Sequence, residues 1–316
     1  MSAAGGRRLL VTGGGGFVGS AVARALAAAE VEPVRWLVHR RAVPGTACTV
    51  TGDLTDPASL RGCCDGVDTV LHLAGRVDGD EAGCVAVNER GTANLLAEAE
   101  RAGVRDVVYL SHAAVHGRGP HHRLDESAPP APVSPASRTR RAAEQRVLAA
   151  GGVVLRPFFT YGDGDRWFVP LLLRWLRRSP KVWLDHGRAE QSVVAVDDLA
   201  RVLAAAALDP GAFAGSPLHV CEPRPVAVRD ALLALAALFG GPRWRLNVPG
   251  APLRTALRWT GRTRLERRLE LLSVEHTYSS ERAWAAAGVR PRAAMLERLP
   301  AHTGWYARFA GPKAAR

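Results

Sequence analysis

The chain has 316 residues, of which 47% are hydrophobic, so it is long enough for a large core and about two domains or lobes. No apolar run reaches the ~18 residues that a membrane-spanning helix needs, and a predicted strand follows Arg8 at once, so we expect neither a membrane span nor a signal peptide. The net charge is +12, but nearly all of the 42 basic residues are arginines scattered along the chain, which disfavours a nucleic-acid-binding arm.

The five cysteines are odd in number and show no C-x-x-C spacing. This pattern disfavours a disulfide framework or a zinc site and favours a reducing, cytoplasmic environment.

The first element is a strand, a glycine turn and a helix. Leu9–Val11 is apolar, Thr12–Gly16 is rich in glycine, and Phe17–Ala28 has helical spacing. This order predicts a pyrophosphate site, because glycines allow close backbone approach and a helix N-terminus attracts anions. The candidate cofactor residues here are Gly13, Gly16, Phe17, Val18 and Gly19.

The second strand, Val34–Val38, leads into His39, Arg40 and Arg41 without a carboxylate. In dinucleotide folds an acid near this point binds the ribose 2′-hydroxyl, whereas arginine accommodates a 2′-phosphate. Arg40 therefore favours NADP(H), with NAD(H) possible. The competing interpretation is a basic surface loop.

Strands and helices then alternate, which predicts a parallel, doubly wound α/β sheet of the Rossmann type. The predicted elements are strand Thr49–Asp53, a short helix from Pro57 capped by Asp56 or Thr55, strand Val70–Leu73, helix Asn88–Arg101 ended by Gly103, and strands Val107–Ser111 and Val153–Pro157.

A smaller, mainly helical C-terminal lobe is expected to bind substrate. Its predicted helices are Trp167–Arg177, Val226–Phe239 and Pro252–Leu272, while Asp197 and Asp198 are expected to cap a helix at Leu199–Leu208 of the main domain. The predicted division is residues 1–162 plus about 192–222 for the dinucleotide-binding domain, and about 163–191 and 223–316 for the substrate lobe.

The arginine-rich stretch from Arg243 to Arg268 contains Trp244 and Trp259. A basic, tryptophan-bearing helix can lie on a membrane surface or cover an acidic ligand. An outer helix of the second lobe is the favoured interpretation.

Seven motifs occur in the order found in extended short-chain dehydrogenases/reductases. They are TGGGGFVG (12–19), GDLTD (52–56), HLAG (72–75), NERGTAN (88–94), LRPFFTYG (155–162), VDDLA (196–200) and YSSERAWAAAGVRPR (278–292). The chain therefore resembles this family, which includes nucleotide-sugar epimerases, dehydratases and 3β-hydroxysteroid dehydrogenases, and its C-terminal third favours the last branch.

The resemblance implies further cofactor contacts and a mode of dimerisation. The implied cofactor residues are Asp53, Leu54, Leu73, Ala74, Gly75, Arg140, Pro157 and Phe159. Family members often form homodimers through helices that correspond here to residues 85–101 and 137–149, so a homodimer is possible.

The family's proton-transfer machinery, a Tyr-x-x-x-Lys pair with an upstream Ser or Thr, is replaced. In SHAAVHG (111–117), His112 falls on the Ser/Thr position, and in SPASRTRRAAE (134–144), Ala136 falls on the tyrosine and Arg140 on the lysine. Glu144 anchors this second alignment. The candidate catalytic residues are therefore His112 and Arg140.

Three hypotheses follow for an oxygenated, moderately apolar small-molecule substrate. In the first, His112 takes over proton transfer, since imidazole is the commonest general acid and base, and oxidation, reduction or epimerisation continues. In the second, the site performs a non-redox elimination, isomerisation or cyclisation. In the third, the protein is a catalytically silent NADP-binding regulator. His112 as a purely structural histidine has about equal weight.

His116, His121 and His122 lie in a Gly/Pro-rich stretch that follows a strand, for which we expect a mobile loop at the pocket rim rather than a metal site. Gln191 is expected to add polarity to a pocket that is otherwise apolar around Trp167 and Phe168, although the aromatic residues are equally compatible with a plain core.

Overall fold

The computed structural model describes residues 7–310 except 42, 44, 47, 179–181, 242, 243 and 245. Its strands are β1 (Leu9–Thr12), β2 (Val34–Val38), β3 (Thr49–Thr51), β4 (Thr69–His72), β5 (Asp106–Leu110), β6 (His121–Leu124), β7 (Val153–Pro157), β8 (Phe159–Tyr161), β9 (Val182–Leu184), β10 (Glu190–Gln191), β11 (Val193–Ala195), β12 (Leu218–Val220), β13 (Val226–Ala227), β14 (Leu246–Val248) and β15 (His276–Tyr278).

The helices are α1 (Phe17–Ala28), α2 (Glu81–Cys84), α3 (Gly91–Arg101), α4 (Pro135–Ala149), α5 (Phe168–Arg178), α6 (Val196–Leu208), α7 (Val228–Phe239), α8 (Gly250–Trp259), α9 (Thr263–Ser273), α10 (Glu281–Ala287), α11 (Met295–Arg298) and α12 (Thr303–Ala310). Short 3₁₀ turns occur at Pro57–Leu60, Ala113–His116, Asp185–Gly187, Pro210–Phe213 and Leu299–His302, and a π-helical segment occurs at Val85–Arg90.

Seven parallel strands form the main sheet in the order β3-β2-β1-β4-β5-β7-β12. Adjacent residues of β1 point to opposite faces: Leu9 packs in one core with α1 and α6, and Leu10 packs in the other with α3 and α4. Helices thus cover both faces, which confirms the predicted doubly wound Rossmann architecture.

The smaller lobe has its own core, formed mainly by α5, α7, α9, β8 and β11. A four-stranded sheet in the order β13-β10-β15-β6 lies outside the main sheet. Ala283 and Trp284 of α10 pack in the same core as α6 and β12. Across the described residues, no helix is both long and apolar enough to cross a membrane.

Several predicted helix limits are wrong, for local reasons. The helix predicted from Asn88 starts earlier, because α2, the π-helical segment and α3 follow one another without a break from Glu81. It begins there because the Asp80 carboxylate caps it by accepting from the Gly83 N–H at 2.9 Å. The single helix predicted at Pro252–Leu272 is two helices, α8 and α9, because Gly261 adopts a φ of +70° between them.

Asp197 and Asp198 both lie in the first turn of α6, where acidic side chains suit the positive end of a helix, but the predicted capping role is wrong for both. Helix α6 begins after Ala195 without a side-chain cap, and the Asp198 carboxylate instead accepts bonds from Arg298 and the Arg292 backbone N–H. Asp56, by contrast, caps the Pro57–Leu60 turn, as one of the two predicted candidates.

Candidate cofactor and substrate site

The glycine turn between β1 and α1 leaves no room for side chains at Gly13, where it begins, or at Gly19, in the first turn of α1. Gly13 has a φ of +75°, and a Cβ there would lie 2.6 Å from the Ala74 nitrogen. A Cβ on Gly19 would overlap the Gly13 carbonyl oxygen. Glycine is therefore required at both positions, and it lets the start of α1 approach the segment that follows β4.

The N-terminus of α1 fits an anionic group. Gly16 is its N-cap residue, no side chain caps it, and its first turn contains no acidic residue. The N–H groups of Phe17 and Val18 therefore have no side-chain acceptor at the positive end of a 12-residue helix. A dinucleotide pyrophosphate supplies the acceptor that this turn lacks.

A basic loop lies against the same turn. A Cβ on Gly15 would meet the Arg41 Cβ at 2.8 Å, so the backbone of Arg41 passes next to the glycines. His39 Nε2 lies 3.2 Å from Asp53 Oδ2. The pKa of Asp53 is lowered, first by the Thr55 N–H at 2.9 Å and further by the charges of His39 and Arg40.

A buried hydrogen-bond chain, which no sequence motif indicates, fixes the ends of β1 and β4. The Thr92 hydroxyl donates to the Asn88 carbonyl at 2.5 Å and so accepts from His72 Nε2 at 3.0 Å. His72 Nδ1 then accepts from the Thr12 hydroxyl at 2.7 Å, and Thr12 accepts from the Ala74 N–H at 3.2 Å. Burial lowers the pKa of His72 to about 3, which agrees with this neutral tautomer.

The Asn88 side chain hydrogen-bonds to the backbone of Arg76 and to the side chain of Thr139. Its side-chain oxygen accepts from the Arg76 N–H at 2.6 Å, and its NH₂ group donates to the Arg76 carbonyl at 2.9 Å and to Thr139 Oγ1 at 3.0 Å. Leu73, Ala74 and Gly75 therefore lie in a fixed segment beside Gly13. His72 belongs to the HLAG motif, and Asn88 and Thr92 belong to the NERGTAN motif. The motifs themselves do not show that His72 and Thr92 are hydrogen-bonded to each other.

The side chain of Arg140, a residue of α4, reaches the end of β5 and lies next to the segment Leu73–Gly75. Its Nη1 donates to the Leu110 carbonyl at 2.8 Å, and a Cβ on Gly75 would lie 2.7 Å from its Nη2. Arg140 is buried, and none of the ion pairs among the described residues involves it. Its charge is therefore available to a bound ligand.

Ala136 lies one helical turn before Arg140, on the same face of α4. Ser134 and Ser137 form a capping box that begins this helix, so Ala136 belongs to its first turn. Its methyl group offers no proton donor.

His112 has two ring nitrogens in different states. Nδ1 accepts from the Ala114 N–H at 3.0 Å and caps the Ala113–His116 turn, so the proton of the neutral ring lies on Nε2. The pKa of His112 is lowered to about 4, first by burial and then by the charge of Arg140. A hydrogen bond with the Phe158 backbone carbonyl opposes this shift. The ring lies 5.6 Å from the Phe158 ring.

The structure corrects the expectation for Gln191, and for Phe168 it favours the plain core over the pocket. Gln191 is fully buried, and its NH₂ group donates to the Val274 carbonyl at 2.7 Å, so it belongs to the sheet interior rather than to an open pocket. Phe168 stacks on Phe159 at 4.2 Å in the core of the second lobe, while Trp167 is exposed. Pro157 ends β7 and is buried.

The expected loop at His116–His122 is in part a strand. His121–Leu124 form β6, which pairs with β15, and His121 Nδ1 lies 2.9 Å from the Tyr278 hydroxyl. His116 is buried, with its Nε2 3.0 Å from Nε2 of His219. Within the part of the chain that the structure describes, no three His, Cys, Asp or Glu side chains are arranged so that they could hold a metal ion.

These features define a dinucleotide-binding α/β protein, and comparisons with known proteins specify its family. Residues 9–216 match the model of the NAD dependent epimerase/dehydratase family, to which this chain belongs.

Two curated relatives and one solved structure are similar over most of the chain. A 2-alkyl-3-oxoalkanoate reductase of Stenotrophomonas maltophilia is 31% identical over 92% of this chain and 97% of its own length. A 3 beta-hydroxysteroid dehydrogenase/Delta 5-->4-isomerase of Mycobacterium tuberculosis is 31% identical over 86% of this chain and 81% of its own length. The structure of MoeE5 in complex with UDP-glucose and NAD is 25% identical, with a TM-score of 0.73, over 95% of this chain and 99% of the other.

Proposed function

We propose that this protein reduces a carbonyl group of a moderately apolar substrate, with NADPH as the preferred cofactor and NADH as the second. The observation that carries the proposal is the pair formed by His112 and Arg140. The His112 imidazole, with its proton on Nε2, lies two residues after the end of β5. The buried Arg140 guanidinium donates to the carbonyl of Leu110, the last residue of β5, and lies beside Gly75. The charge of Arg140 lowers the pKa of His112.

The residues present fit the cofactor. The N–H groups of Phe17 and Val18 would hold the pyrophosphate, and Arg140 would lie at the nicotinamide end, beside Gly75. The bound cofactor supplies the hydride.

His112 Nε2–H donates a hydrogen bond to the substrate carbonyl oxygen, and the charge of Arg140 stabilises the negative charge that develops there. The resulting alkoxide is basic enough to take the Nε2 proton, which leaves an imidazolate beside the charge of Arg140. A water molecule then returns a proton to Nε2 and leaves as hydroxide. Because Nδ1 is bound to the Ala114 N–H, the ring acts as a donor rather than as a base.

The preference for NADP(H) rests on the end of β2. Val38 occupies the last position of the strand, and His39, Arg40 and Arg41 follow it, so no carboxylate repels a 2′-phosphate there. The Asp53 carboxylate, which lies beside His39, accepts from the Thr55 N–H and is paired with His39.

The proposed substrate class rests on the name of one relative and on the aromatic side chain beside His112. The Stenotrophomonas relative is named for a 3-oxo acid that carries alkyl chains, and here Phe158 lies beside His112. A 3-oxo acid with an alkyl branch is therefore the first substrate to assay.

The test follows NADPH and carbonyl content together. Purified protein is incubated with 2-alkyl-3-oxo acids of several chain lengths, and the loss of NADPH absorbance is compared with the hydroxy acid formed. Equal amounts support the proposal. Conversion of the oxo acid to a product of the same oxidation level, without net NADPH loss, would indicate the non-redox alternative. Cofactor binding without any turnover of the substrate panel would indicate the regulator.

A further inference from the structure

Helices α8 and α9 form a hairpin that presents apolar side chains to solvent. We use "α8–α9 hairpin" for residues 250–273. Trp259, the last residue of α8, is 88% exposed, and Leu265 of α9 is 42% exposed. The two helices pack against each other and are joined by a tight turn at Gly261. An exposed tryptophan therefore stands at the tip of a helical projection.

The α8–α9 hairpin exposes arginine side chains and buries its acidic side chains. Its only two carboxylates, Glu266 and Glu270, are buried and accept bonds from Arg118 at 2.8 and 2.7 Å. Arg262, Arg267 and Arg268 are exposed. The outward surface is thus basic, because the acids that could neutralise it are already paired inside.

We propose that the α8–α9 hairpin docks this protein on an anionic lipid surface. Tryptophan favours the interface between headgroups and acyl chains, where its ring is buried and its N–H stays near water. Arginines beside it attract lipid phosphates. The combination of one projecting indole with exposed arginines and no exposed carboxylate matches a basic interfacial helix.

The hairpin is attached to the segment that leads from the candidate catalytic turn to α4. Arg118 binds Glu266 and Glu270, and Arg267 Nη2 donates to the Val133 carbonyl at 3.3 Å. Residues 118 and 133 lie between His112 and Ala136. Docking would therefore bring this side of the molecule towards the bilayer, a source of apolar substrates. The docking itself does not depend on the proposed reaction.

The test is flotation of the intact protein with vesicles of phosphatidylcholine alone or of phosphatidylcholine mixed with phosphatidylglycerol. We expect binding only to the mixed vesicles, weakened by added salt. Trp259→Ala should weaken it about tenfold, and each of Arg262→Ala and Arg268→Ala about fivefold. Trp167→Ala, which removes another exposed tryptophan, and the double variant Arg290→Ala/Arg292→Ala should bind like the wild type.

Three results would overturn the proposal. They are no binding of the wild type to mixed vesicles, equal binding of Trp259→Ala and the wild type, and equal losses in Trp259→Ala and Trp167→Ala. An unchanged melting temperature shows that a variant is folded. If the wild type ignores vesicles and Trp259→Ala changes the oligomeric state in gel filtration, the hairpin is instead an interface between copies of the chain.

Discussion

The two ring nitrogens of His112 have different partners, and this difference limits what the side chain can do. The sequence places His112 by register with a family motif, and predicts a general acid or base from the ordinary pKa of imidazole. The structure shows Nδ1 bound to the Ala114 N–H. That contact depends on how the chain turns after β5, which no residue pattern specifies, so the tautomer could not be predicted.

His112→Ala should lower kcat/KM for the carbonyl substrate about 10²-fold, because it removes one donor to the developing oxyanion. The KM for NADPH should change little. Steady-state kinetics measure both. His122→Ala, which alters an exposed histidine of β6, is the control and should retain full activity.

The pH profile gives a second check on the same residue. Since burial lowers the pKa of His112 to about 4, the imidazole stays neutral across the ordinary assay range. We expect no inflection from this group in kcat/KM above about pH 5.5. An inflection near pH 6.5 that disappears in His112→Ala would show that the ring titrates during the reaction.

The proposed preference for NADP(H) rests on Arg40 and Arg41. The double variant Arg40→Ala/Arg41→Ala should raise the Kd for NADPH about tenfold, because it removes the charges that would face the 2′-phosphate. Its Kd for NADH should be nearly unchanged. Fluorescence titration measures both constants, and an equal effect on the two cofactors would assign these arginines to a surface loop.

At the scale of elements, α4 is held to the sheet by a buried ion pair. Arg156 of β7 donates to both carboxylate oxygens of Glu144, at 2.8 and 2.6 Å, and both side chains are almost fully buried. The family register identifies Glu144 as an anchor. It does not identify Arg156, because the pairing follows from how α4 packs across β7 rather than from a sequence spacing.

Glu144→Ala should destabilise the protein by about 3–5 kcal/mol, because it leaves the buried Arg156 charge without its carboxylate. Urea unfolding measures the free energy. Glu89→Ala is the matched control, since Glu89 faces Arg146 at 3.7 Å on the surface and its loss should cost about 0–1 kcal/mol. Similar costs for the two variants would contradict the buried-pair argument.

At the scale of the whole molecule, six of the seven strands of the main sheet were predictable because they are short apolar runs separated by helical patterns and glycine turns. The edge strand β12 was not predicted. The polar chain through Thr12, His72 and Thr92 was not, since it joins residues 20 to 60 positions apart. The break at Gly261 was missed because the hydrophobic pattern continues across it. Homodimerisation through the helices of residues 85–101 and 137–149 stays a prediction, as do the domain limits.

Buried histidines connect the fold to pH. His116, His219 and His276 lie around Tyr278 and Phe158, with His121 beside them. Burial lowers the pKa of His116 and His276 to about 4 and that of His219 to about 3, with a further lowering of His116 and His219 by the Arg156 charge, and it also lowers the pKa of His121. Glu144 beside His116 and Glu275 beside His276 oppose these shifts.

The sign of the effect on stability follows from proton uptake. Between about pH 6.5 and pH 4 the unfolded chain binds protons at His116, His219 and His276 and the folded chain does not, so stability falls as the pH falls. Each fully shifted histidine contributes about 1.4 kcal/mol per pH unit to this slope. Urea unfolding at a series of pH values should therefore show a steep loss below about pH 6.5.

His276→Phe isolates one member of the group, because phenylalanine keeps the stacking on Phe158, at 5.3 Å, and cannot take up a proton. It should reduce the slope of stability against pH by about one proton between pH 6.5 and 4, whatever it does to stability at neutral pH. His186→Asn, at an exposed position with a left-handed backbone that asparagine tolerates, should leave the slope unchanged. A wild-type slope that His276→Phe does not alter would mean that other groups cause the acid sensitivity.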